Sequence, residues 1–69
     1  MKVVDKEYVE KSYPIGTRVE LEYMNDPFPV PSGTKGVVRF IDDVGQLHID
    51  WENGSSLALV VGVDKFHRI

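Results

Sequence analysis

From Arg18 to Tyr23 the chain changes polarity at every residue: Val19, Leu21 and Tyr23 alternate with Arg18, Glu20 and Glu22. A period of two sends the apolar set to one face of a β-strand and the charged set to the other, which no helix can do. "TRVELEY" at 17–23 is therefore read as the first strand. "TKGVVRFI" at 34–41, "QLHIDW" at 46–51 and "SSLALV" at 55–60 follow, and "KFHRI" at 65–69 ends the chain as a short fifth strand. Turn signals recur about every 8–12 residues, which predicts an all-β fold, a small five-stranded antiparallel barrel.

The third and fourth strands fix their own register. Leu47, Ile49 and Trp51 share one face and Leu57 and Leu59 another, and a slip of one residue would turn one set to water. A two-residue Asn53-Gly54 turn would set Asp50 opposite Leu57. A three-residue loop, Glu52-Asn53-Gly54, sets Ile49 opposite Leu57 and Leu47 opposite Leu59. The expected connection is a type I turn with Gly54 left-handed at a bulge. Trp51 then anchors the core, and its indole N–H needs a buried partner.

Two segments fall outside the strands. Residues 1–12 are charged and polar, with Val3, Val4, Tyr8 and Val9 at roughly helical spacing. They are read as an arm of one or two helical turns outside the main core, with the barrel occupying 13–69. "MNDPFPVPSG" carries prolines at 27, 29 and 31, a spacing that a central strand cannot accept. It is read as an extended loop in which Asp26 caps the turn before Pro27.

A chain of 69 residues buries only about 60% of its unfolded surface, so the domain is marginal. With no cysteine, neither disulfides nor thiolate metal sites assist it, and a reducing cytoplasm is the expected setting. No apolar run of about 18 residues exists to cross a membrane. The net charge is −3 with acids and bases interspersed, which disfavours a nucleic-acid partner. Arg18, Lys35, Arg39 and His48 are the basic residues such a partner would use.

The richest cluster of chemical groups, "HIDWENGSS", resolves into structure. The strand register puts His48, Asp50 and Ser56 on the outer face, with the acid beside the serine and the histidine apart. A nucleophilic triad needs the histidine between them. Asp42 and Asp43 open a turn, and with Asp26, Asp50, Glu52 and Asp64 they read as solvated acids rather than metal ligands. "DWENG" lacks calcium-loop spacing, "SGTKG" completes no phosphate loop, and His67 reads as an outward strand residue. No catalytic residue, cofactor or metal is expected.

From "YPIG" onward the sequence resembles a small bacterial and phage-associated family catalogued as domain of unknown function 4314. The resemblance rests on "GTRV", "MNDP", "GTKGVV", "DDVGQLHIDWENG", "SLAL" and "DKF". More distantly, "GTKGVV" followed by "DWENG" is similar to SH3-like barrels, and this implies an SH3-like fold without lending any catalytic residue. Such barrels bend sharply in the second strand. A bulge near Arg39 and Phe40 would bury Ile41, whereas a plain four-residue loop Asp42–Gly45 would bury Phe40; the bulge is preferred.

The residues expected to build the barrel are Val19, Leu21, Gly36, Val38, Ile41, Leu47, Ile49, Trp51, Gly54, Leu57, Leu59 and Phe66. Those expected to meet a partner are Met24, Phe28 and Val30 of the proline loop, with Phe40. The apolar side chains of such a loop are either offered to a partner or folded back over the barrel end. For Phe28 the two readings, anchor and lid, stand equal. The function expected is a non-enzymatic module that binds another protein through the 24–31 loop; the alternative is a nucleic-acid-associated barrel.

Overall fold

The computed structural model describes residues 5–69. Val3 and Val4, read above as part of the arm, lie outside the described residues. The chain forms α1 (Lys6–Ser12) and then five strands: β1 (Arg18–Tyr23), β2 (Lys35–Ile41), β3 (Leu47–Trp51), β4 (Ala58–Leu59) and β5 (Lys65–Arg68). They make one antiparallel sheet in the order β4-β3-β2-β1-β5. Consecutive strands pair as far as β4, and β5 returns beside β1. The fold is the small barrel-like all-β domain that the alternation implies.

Val19 and Leu21 from β1, Val38 from β2, Leu47, Ile49 and Trp51 from β3, and Leu59 from β4 are buried together. Ile41, Leu57 and Phe66 pack against this cluster from its margin. Leu47 stands opposite Leu59, as the register argument requires. The amide of Gly54 donates to the Trp51 carbonyl at 3.0 Å, and Gly54 has φ 85°, the left-handed value expected at the end of a type I turn. Gly36 serves a different need. A Cβ there would lie 2.5 Å from Ile49 Cγ2, 2.9 Å from the Asp50 carbonyl and 2.9 Å from the Trp51 ring.

The structure corrects four expectations. Val9 is completely buried in the core, so α1 caps the barrel rather than standing outside it. Asp5 starts this helix, accepting the Glu7 amide at 3.2 Å, and Lys6 reaches Asp43 beyond β2 at 3.3 Å. Tyr23 is exposed, not inward, because the β1–β5 register shifts between Leu21 and Tyr23. The extra residue, Glu22, reverses the alternation. Met24 and Val30, expected on a partner surface, are 4% and 2% exposed and belong to the core. The same reversal turns Met24 inward. Finally, β4 is shorter than 55–60, because side chains take the Leu57 backbone groups. Ser55 Oγ accepts its amide at 3.2 Å, and the Trp51 indole donates to its carbonyl at 2.8 Å.

Candidate functional site

With Met24 and Val30 buried, the proline loop has two apolar roots in the core and, between them, one exposed aromatic side chain. Phe28 is 86% exposed, more than any other large apolar residue described. Its backbone is nevertheless tied down. Asp26 accepts the Phe28 amide at 2.8 Å, as the turn-capping reading requires. The Ser32 hydroxyl donates to the Glu22 carbonyl at 2.6 Å, and the Gly33 amide donates to the Leu21 carbonyl at 2.7 Å.

Asp64 completes the frame. It is buried, and its two carboxylate oxygens accept the amides of Asn25 and Val60, each at 2.8 Å. Sequence reasoning grouped Asp64 with the solvated acids. An acid framed by apolar residues in "VGVD" was the available signal, but its partner Asn25 lies 39 residues away.

A second surface forms where β2 meets β3. The register shift between Val38 and Phe40 makes Arg39 the extra residue of a bulge, so that Ile41 pairs with Leu47 and packs on the core while Phe40 turns outward. The Phe40 ring lies parallel to His48, with centroids 4.1 Å apart, and the Arg39 guanidinium stands 5.4 Å from the Phe40 centroid. His48 Nε2 meets Asp42 Oδ2 at 2.9 Å. Asp42 Oδ1 in turn accepts the amides of Val44 and Gln46 at 3.1 and 2.9 Å. The hydrogen bond from His48, and then that from the Gln46 amide, holds the Asp42 carboxyl below the usual aspartate range against a small opposing effect of burial.

The acid that orients His48 is thus Asp42, not Asp50, and among the described residues no hydroxyl bonds the imidazole. His67 points outward and meets Glu22 at 2.8 Å. Among the described residues no group of three His, Asp or Glu side chains is placed to hold a metal, and no helix is long and apolar enough to cross a membrane.

What the fold and these two surfaces define is a small barrel-like all-β domain that displays two phenylalanines, Phe28 and Phe40, on its outside. The chain belongs to the family described as Domain of unknown function (DUF4314), whose model matches residues 4–69, α1 included. No curated protein and no solved structure matches it.

Proposed function

We propose that this chain is a non-enzymatic protein-interaction module that binds its partner through the loop from Met24 to Pro31, with Phe28 as the anchor. The observation that carries this reading is the pairing of extreme exposure at Phe28 with fixed backbone around it. An exposed aromatic ring on a mobile loop loses ordering entropy when it binds. One held by Asp26, Pro27, Pro29 and two buried roots has already lost it. Large aromatic side chains of this kind dominate binding energy at protein interfaces.

The nucleic-acid alternative draws less support. The net charge is −3 and His48 is engaged by Asp42, so of the four outer basic residues only Arg18, Lys35 and Arg39 are left to track phosphates. The cysteine-free composition supports placing the module in the cytoplasm.

The test is affinity capture from the native host with the parent chain and with Phe28→Ala side by side. Proteins held by the parent and lost from the variant support the proposal. An unchanged set of captured proteins, or capture of nucleic acid that disappears with added salt, would replace it.

A further inference from the structure

A groove of about 410 Å³ lies away from the proline loop, lined by Glu10 of α1, Pro14 and Ile15 of the α1–β1 connection, and Phe40 and Ile41 at the end of β2. Its apolar wall is exposed, and one member of it, Phe40, is held by stacking. Ile15 is 70% exposed and Phe40 41%. Phe40 reaches this position only because the bulge at Arg39 turns it out, and His48 then fixes its ring. Bulges of this kind re-aim side chains at working surfaces.

Glu10 is the single charged residue in the lining. On α1, Lys6 pairs with Asp43 and Lys11 lies 3.7 Å from Glu7, and His48 beside Phe40 pairs with Asp42. Arg39 lies over the Phe40 ring. Glu10 is exposed and, among the described residues, has no ion-pair or hydrogen-bond partner. An apolar trough with one unpaired carboxylate complements a side chain pair of matching kind.

We propose that this groove is a second docking site, for a partner-protein segment in which an apolar side chain stands next to arginine or lysine. The apolar side chain lies on Ile15, Phe40 and Ile41, and the cation meets Glu10. The site is independent of the Phe28 surface, so either can fail without the other.

Titration of the ¹⁵N-labelled full chain with two capped dipeptides, N-acetyl-leucyl-arginine amide and N-acetyl-leucyl-glutamate amide, tests it. The cationic peptide is expected to shift the amides of Ile15, Phe40 and Ile41 and to bind up to about fivefold more tightly than the acidic one, the range of an exposed ion pair. Glu10→Gln should abolish that preference, Ile15→Ser should weaken both peptides, and Phe28→Ala should change nothing. All the substituted side chains are exposed, so the variants keep the fold. Equal binding of the two peptides, a preference that survives Glu10→Gln, or shifts confined to the Phe28 loop would overturn the assignment.

Discussion

The carboxylate of Asp64 holds the backbone amide of Asn25 at 2.8 Å, tying the turn before β5 to the root of the proline loop. Its other oxygen holds Val60 at the same distance. Asp64→Ala removes the acceptor for both amides, and charged acceptors are the costly ones to lose. We expect a loss of about 2–4 kcal/mol in urea denaturation, together with faster hydrogen exchange at Asn25. A variant as stable as the parent would mean that the loop root is held by something else.

Trp51 combines burial with a satisfied N–H, its indole donating to Leu57. Trp51→Ala is expected to cost about 3–5 kcal/mol, enough to unfold a domain of this size. Trp51→Phe keeps much of the apolar contact but leaves the Leu57 carbonyl without its donor, at a cost of about 1–3 kcal/mol. A dispersed NMR spectrum from the alanine variant would contradict the assignment of Trp51 to the core.

Two glycines should resist substitution for opposite reasons. Gly54→Val places a β-branched residue at φ 85° and should destabilise the hairpin by about 1 kcal/mol or more. At Gly36 the obstacle is space: an added Cβ meets the Asp50 carbonyl and the Trp51 ring. Gly36→Ala should cost about 1–3 kcal/mol through displaced neighbours. Thermal melts distinguish the two sites, since Gly54→Asn should recover much of the loss that Gly54→Val causes. Equal melting temperatures for parent, Gly36→Ala and Gly54→Val would remove both arguments.

Most of the barrel was legible because burial on one face writes itself as alternation. Val19 and Leu21 in β1 and Leu47, Ile49 and Trp51 in β3 needed nothing else. The register of β3 on β4 followed from matching two apolar faces across a turn of fixed length. Bulges leave no such trace. The extra residue at Glu22 reversed Tyr23 and Met24 without changing the pattern of letters. The bulge at Arg39 was anticipated only through a resemblance. Val9 was missed because a single buried valine in a seven-residue charged helix makes no apolar stripe. Of the candidate site, the Asp26 cap was legible from aspartate and proline chemistry. The sequence left Phe28 open between a lid folded back on the barrel and a displayed side chain, because proline spacing fixes the backbone and not which way the ring turns. The Asp64 clamp and the Phe40–His48–Asp42 chain depend on contacts between distant strands and turns.

The depressed Asp42 carboxyl gives a pH signature. A carboxyl whose pKa is lowered by folding adds stability that is present above its unfolded pKa and is lost as the pH falls through the folded one. Asp42→Asn keeps an oxygen for Val44 and Gln46 but removes the charge facing His48. The parent should therefore exceed the variant in melting temperature near neutral pH, and the gap should close below the usual aspartate range. A gap that stays constant or widens on acidification would contradict the pairing with His48.

The central claim is that Phe28 is displayed, not folded back as a lid, and the Phe28→Ala variant tests it most directly. The measurement is the affinity of the parent's captured partner for this variant, with the melting temperature of the free variant recorded beside it. The variant should keep the parent's melting temperature and bind about thirtyfold or more weakly, the scale of an aromatic interface anchor. A stability loss of about 2 kcal/mol would make Phe28 a lid, and parental affinity in a stable variant would remove the loop from the interface.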